Sequence, residues 1–250
     1  MGREEHERAV RFRTGRRDPE LTVVEGFHAL KHALRFGAEL VEAVAVDPRA
    51  LEAMAVEFAP DLAGQIGGRV ETVDKATLAD LVPLVPHTGV VAIARRPRVD
   101  LAAALADPAP AVLLEQPKNM GNIGACIRVS AGAGAAALIT TGENDPWHAD
   151  AVRGAAGLQF ALPVAKVETL PESDRPLLAI DPEGEELAPE HLPARAILAF
   201  GTERHGLSDE VFQRADARIS IPMREGVSSL NLATSVAIVL FTMKLAAGAN

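Results

Sequence analysis

Short apolar runs alternate with helix-patterned segments along almost the whole chain, and that alternation leaves few folds open. "LVEAVAVD", "RVETVD" and "GVVAIAR" read as strands in the first third, separated by the helical patterns of "LEAMAVEF" and "KATLADLV". Ahead of them, "LTVVEGFHALKHALRFGAEL" places Phe27, Leu30, Ala33 and Leu34 at helical spacing, with Gly37 as a natural stop. Beyond the Pro-bounded, Ala-rich segment "RPRVDLAAALADPAP" the pattern resumes. "AVLLEQ", "AALITTG", "FALPVAKV", "PLLAIDP", "AILAFG" and "ARISIPM" are strands, residues 122–134 and "WHADAVRGAAG" are helices, and "SSLNLATSVAIVLFTMKLAA" is a long apolar helix. Strands alternating with helices predict two α/β domains with mostly parallel sheets. The boundaries expected are a basic tail over 1–19, a first domain over 20–97, a linker over 98–107 and a second domain over 108–250.

The 250 residues are enough to bury one large or two modest cores. No apolar stretch reaches the about 20 residues that span a bilayer, and the charged N-terminus has no signal-peptide core. One cysteine, Cys126, excludes an internal disulfide and fits a reducing cytoplasm. A net charge of −9 argues against indiscriminate coating of nucleic acid. The distribution says more: Arg3, Arg8, Arg11, Arg13, Arg16 and Arg17 crowd the start, and "RRPR" stands at 95–98. These clusters read either as solvated tail and linker or as two phosphate-contacting patches on an acidic body.

Three strand-to-helix loops carry the chemistry, because free helix N–H groups gather there. The first, "NMGNIGACIR", has Gly121 and Gly124 but neither the G-x-G-x-x-G order nor a phosphate-loop lysine, which disfavours generic nucleotide-binding folds. In the second, "LAFGTERHGLSDEV", a strand runs into Gly201, Glu203 follows, and Ser208 stands as an N-cap with Asp209 and Glu210 in the first turn. The third, "ISIPMREGVSSLNLATSVAIVLF", passes from strand through Pro222 and a Gly-Ser loop into a helix beginning near Leu230.

Taken in this order, the three loops resemble the signature motifs of the SpoU (TrmH) family of RNA ribose 2′-O-methyltransferases, within the SPOUT class. The first motif, N-x-G-A-x-x-R, is matched by Asn122, Gly124, Ala125 and Arg128; the second by Gly201, Glu203, Gly206, Leu207 and Ser208; the third by Ile221-Pro222-Met223 and Ser229-Leu230-Asn231. "AVRGAAGLQFALPV" resembles the stretch between the first two motifs, and "TVVEGFHALKHAL" the start of the ribosomal-protein-like substrate-binding domain of many members. Two departures stand out. An extra N-x-G, Asn119-Met120-Gly121, precedes the first motif, and "GAA" at 154–156 replaces a usual Ser, leaving Arg153 without an assigned role.

The resemblance implies a trefoil-knotted domain with a parallel sheet, its knot over about 196–245, preceded by a small α/β RNA-binding domain. It implies S-adenosylmethionine held near Gly201, Ile221, Met223 and Leu230, with no metal, and catalytic work by Asn122, Arg128, Glu203, Ser229 and Asn231. It also implies a homodimer sharing the final helix, a cytoplasmic location and an RNA substrate, ribosomal rather than transfer RNA. Glycine at 201 suits close approach of backbone to a ligand. A guanidinium stays protonated at neutral pH, so Arg128 is expected to bind the phosphate beside the target ribose and stabilise alkoxide charge rather than act as a base. The alternatives carried are a transfer-RNA methyltransferase of the same family, a non-catalytic RNA-binding or assembly protein on this scaffold, and a nucleotide-dependent enzyme unrelated to RNA.

Other tempting residues are read as structural. Glu25, His28 and His32 fall on one helical face but lack a further metal ligand and are read as a polar face. Cys126 is read as core, His205 as a loop residue, and Trp147 as packing at a helix start.

Overall fold

The computed structural model describes residues 2–202 and 206–248. Its contacts divide into two units, Met1–Arg98 with Trp147–Ala161, and Val99–Pro146 with Leu162–Asn250. The first unit runs α1 (Arg3–Gly15), β1 (Leu21–Glu25), α2 (Phe27–Arg35), β2 (Leu40–Ala45), α3 (Pro48–Phe58), β3 (Glu71–Thr72), α4 (Lys75–Leu81) and β4 (Val90–Arg95). The second begins with α5 (Leu101–Ala106), β5 (Ala111–Leu114), α6 (Met120–Ala133) and β6 (Ala137–Thr140). The helix α7 (Ala149–Gly154) packs with the first unit, and the second continues with β7 (Val164–Lys166), β8 (Leu177–Glu186), β9 (Ile197–Phe200), α8 (Asp209–Arg214), β10 (Ala217–Ser220) and α9 (Leu232–Gly248).

Local chemistry sets most helix starts. Asp47, Asp74, Asp100 and Ser208 accept backbone N–H groups at the first turns of α3, α4, α5 and α8. Gly134, at φ 80°, ends α6 in the left-handed conformation.

The first sheet, in the order β1-β4-β2-β3, is mixed: β4 runs antiparallel to β1 and β2, and only β2 and β3 are parallel. This corrects the expectation of a mostly parallel first sheet, because hydrophobic periodicity carries no strand direction. The basic tail is corrected too. Residues 3–15 form a helix that buries Ala9 and Phe12, and Arg8 is itself buried. Arg8 donates to Glu42 and Glu71 at 2.7 Å each, and Arg11 to Glu42 at 2.7 Å. These arginines neutralise carboxylates of the sheet instead of facing phosphate.

Glu25 is the last residue of β1, not a member of a helical face. Its carboxylate is buried and accepts from Arg16 and, at 2.6 Å, from Arg153 on α7. Burial lowers the Arg153 pKa and the bonds to Glu25 more than offset this, so it stands above the ordinary value. Arg153 therefore serves the first unit's packing. Trp147 lies buried ahead of α7, edge-on to Phe160 at 5.2 Å.

The second sheet, β10-β8-β9-β5-β6-β7, is parallel at every pairing, as its apolar strands imply. Register sets Leu114 beside both Thr140 and Phe200, and Phe200 beside Ile180. The C-terminal ends of β5, β6, β7 and β9 thus finish level, while β8 runs on to Glu186. Buried Arg175 braces the opposite end, donating to the carbonyls of Leu105, Asp107 and Ala109 around the end of α5. Among the described residues no helix is long and apolar enough to cross a membrane.

Candidate active site

The first loop rises from β5 into α6. Asn119, which the motif comparison left unexplained, caps the helix by accepting the Asn122 N–H at 3.0 Å. Asn122 is thereby freed from capping and placed in the first turn. The buried face of α6 holds Ile123, Gly124, Cys126, Ile127 and Ser130, so Cys126 is core. Arg128 lies on the other side, exposed, with small Gly121, Ala125 and Gly132 at helical spacing around it. Among the described residues no ion pair or hydrogen bond engages the Arg128 side chain. A cation held on a rigid helix among small neighbours is open to an incoming anion.

The second loop closes on itself. Thr202 and Gly206 exchange backbone hydrogen bonds at 3.0 and 3.1 Å. A Cβ on Gly201 would meet the Gly206 carbonyl carbon at 2.0 Å and the Leu207 nitrogen at 2.3 Å. This self-approach alone requires glycine there. Glu203 and His205 lie outside the described residues. A residue with no role assigned from sequence fixes the loop: Glu115, at the end of β5, accepts the Ser208 N–H at 2.7 Å and its hydroxyl at 2.6 Å. The signal was an acid closing an apolar strand; its partner 93 residues later was not readable.

The third loop meets the first through two asparagines. Asn231 Nδ2 donates to Asn122 Oδ1 at 3.1 Å, while Asn231 Oδ1 accepts the N–H groups of Ala233 and Thr234 and so caps α9. At the far end, Lys244 of α9 donates to the carbonyls of Gly132 and Ala133, both at 3.1 Å, where α6 ends. The two helices therefore run side by side in the same direction, pinned at both ends.

Between the strand ends and the third loop lies a cavity of about 260 Å³. Gly201, Ile221, Met223 and Leu230, the four residues expected to hold a cofactor, all line it, as does Ser229. Asp181 is the one ionisable side chain on its wall among the described residues. It stands where β8 departs from β10, since pairing jumps from Arg218–Ala179 to Ile219–Glu185 and Asp181 and Pro182 bow out between. Asn122, Asn231 and Ser229 thus converge with the cavity-lining loops, whereas among the described residues Arg128 makes no hydrogen bond to any of them.

Residues 109–241 match the SpoU rRNA Methylase family, more than half of the chain. The chain belongs to the SpoU family. Residues 23–99 match a second model, RNA 2′-O ribose methyltransferase substrate binding. An uncharacterized tRNA/rRNA methyltransferase of Mycobacterium bovis is 32% identical over 199 residues, covering 74% of this chain and 69% of the relative. The 23S rRNA (adenosine(1067)-2′-O)-methyltransferase of Streptomyces azureus is 29% identical over 233 residues, covering 88% of this chain and 84% of its own. Among solved structures, the SpoU methyltransferase AviRb of Streptomyces viridochromogenes, in complex with AdoMet, superposes with a TM-score of 0.77 over 100% of both chains at 22% identity, a likeness of fold. Within the matched span of this SpoU chain, Asn119 serves as the cap of α6.

Among the described residues no group of three or more His, Cys, Asp or Glu side chains could hold a metal ion.

Proposed function

We propose that this SpoU chain is an S-adenosylmethionine-dependent RNA ribose 2′-O-methyltransferase acting on ribosomal RNA in the cytoplasm. The observation that carries the reading is the meeting of the cavity lined by Gly201, Ile221, Met223 and Leu230 with the Asn122–Asn231 hydrogen bond. The wall fits the cofactor's chemistry: apolar side chains and backbone for the adenosyl part, and Asp181 as a single negative charge suited to a cationic sulfonium. Bound there, the cofactor supplies an activated methyl group for the ribose 2′-oxygen.

The chain's own residues then orient and stabilise. Asn231, held by the first turn of α9, fixes the Asn122 carboxamide, and this pair positions the ribose. Arg128 remains a cation, binds the phosphate next to the target ribose and stabilises negative charge as it develops on the attacking oxygen. The proton leaves to that phosphate or to water. Glu203 and Ser229 complete the set in this reading. The segment 196–245 forms a trefoil knot, and α9 forms part of a homodimer seam; its exposed Phe241 and Leu245 support the latter. Residues 20–97 serve RNA binding and 108–250 methyl transfer, with 147–161 packed into the first unit. The rRNA-modifying relative from Streptomyces azureus supports ribosomal over transfer RNA.

The test is transfer of labelled methyl groups to separate pools of unmodified ribosomal and transfer RNA, followed by nucleoside analysis. A 2′-O-methyl nucleoside from ribosomal RNA is expected, and Arg128→Ala abolishes it while cofactor binding persists. An Arg128→Ala enzyme with wild-type kcat would refute the assigned role, and an RNA-binding protein without cofactor affinity would refute the methyltransferase reading.

A further inference from the structure

The first unit holds a second cavity, about 760 Å³, whose wall is mainly apolar. Phe27 is its buried floor. His28 stands edge-on to Phe27 at 5.7 Å and tilted against Phe58 at 6.4 Å, and Phe58 leaves 49% of its surface exposed at the end of α3. Met54 and Val85 continue the wall, and Val85 is exposed. Lys75 and His87, both exposed, sit on the rim, and neither has an ion-pair partner among the described residues. The rim also carries Asp47, whose Oδ1 accepts the N–H groups of Arg49 and Ala50 as the cap of α3.

We infer that this groove takes an unstacked base of a single-stranded RNA segment, stacked on Phe58 beside His28, with the neighbouring phosphate on Lys75. A half-exposed aromatic ring over an apolar floor suits the π-face of any base, and a free cation at its edge suits the backbone that accompanies it. An apolar protein segment would gain nothing from Lys75 and His87, whereas a nucleotide uses both kinds of surface. Every lining residue falls within 23–99, the span matching the RNA substrate-binding family. The choice of RNA as occupant rests on the methyltransferase reading; the choice of groove rests on these side chains.

The probes are fluorescein-labelled oligouridylate and a blunt RNA duplex of equal length, titrated into the full chain. Oligouridylate is expected to bind, and Phe58→Ala to weaken it roughly tenfold or more, with Phe58→Trp restoring it. Lys75→Ala is expected to reduce the slope of log affinity against log salt by about 0.7. Duplex binding, cofactor binding and thermal unfolding stay unmoved in the Phe58 variants. Absence of oligouridylate binding, or Phe58→Ala binding it like the intact chain, overturns the groove, as does equal loss of both RNAs. Methyl transfer measured alongside separates the two readings: transfer without Phe58-dependent binding sinks the groove alone, and Phe58-dependent binding without transfer or cofactor affinity sinks the enzyme alone.

Discussion

Glu115→Ala isolates what the first loop does for the second. The carboxylate receives two hydrogen bonds from Ser208, at 2.7 Å from its N–H and 2.6 Å from its hydroxyl. Hydrogen bonds to a charged group contribute about 1.5–3 kcal/mol each. Both residues are only half-buried, so water recovers part of the loss and the low end of that range applies. Removing both bonds should cost about 3 kcal/mol, and Glu115→Gln, which keeps one acceptor oxygen, about half as much. For a chain of this size each kcal/mol moves the midpoint by roughly 2–4 °C, so the second unit's transition should fall by roughly 6–12 °C in Glu115→Ala. The functional cost lands on the loop carrying Gly201 and Gly206 at the cavity wall. If cofactor binding must re-order that loop, affinity falls by up to about a hundredfold, since every 1.4 kcal/mol is tenfold. Calorimetric titration with S-adenosylmethionine and a thermal scan of Glu115→Ala, Ser208→Ala and the double variant measure this. The single losses should overlap, because the hydroxyl bond is lost in both, with a coupling of about 1.5 kcal/mol. Additive losses, or Glu115→Ala with unaltered affinity and midpoint, would refute the role assigned to Glu115.

Gly201→Ala should weaken cofactor binding strongly, because the new methyl group cannot coexist with the Gly206 carbonyl carbon 2.0 Å away; the first unit's unfolding should not change. Calorimetry and a thermal scan together check both halves of that statement. Burial raises the Glu42 pKa, but hydrogen bonds from Arg11 and Arg8 outweigh it and the group stands below its ordinary value. A depressed carboxylate stabilises fully above the unfolded-state pKa, about 4.3, and its contribution is lost as pH falls through the lowered folded value. Glu42→Gln should therefore destabilise the first unit by about 3 kcal/mol at neutral pH and much less near pH 3, read from urea midpoints at both. An undiminished gap at low pH would show that the arginines do not act through this charge.

Much of the architecture was legible because it is written locally. Asp47, Asp74, Asp100 and Ser208 cap helices within three residues of themselves, and continuous apolar runs mark the buried strands of the second sheet. What was hidden lies in pairings distant in sequence. Arg8 and Arg11 read as part of a tail, solvated or phosphate-contacting, because their sheet partners are distant: Glu42 and Glu71 stand 34 and 63 residues from Arg8. Glu25 resembled a helical residue because Phe27, Leu30 and Ala33 follow at helical spacing, yet Gly26 at φ 88° breaks the chain between strand and helix. The candidate site residues stand in the sequence as motif letters, while their arrangement does not: nothing local says that Asn231 grips Asn122 across 109 residues.

That grip gives one residue two structural tasks, capping a helix and joining two loops. Asn231 spends its oxygen on the first turn of α9 and its amide nitrogen on Asn122, so the third loop cannot shift without the first. The same economy separates two jobs at the start of α6, where Asn119 takes the capping role and leaves Asn122 its side chain. Lys244 binds the carbonyls of Gly132 and Ala133 and so ties α6 to α9 at a second point. Arg128 lies between those two pins. Its guanidinium carries a permanent charge, and any neighbouring carboxylate would have to be displaced before a phosphate could bind. Among the described residues, a face of Gly and Ala supplies no such competitor and leaves room for an RNA backbone. The lone arginine among small residues is therefore the arrangement that the proposed phosphate-binding role requires.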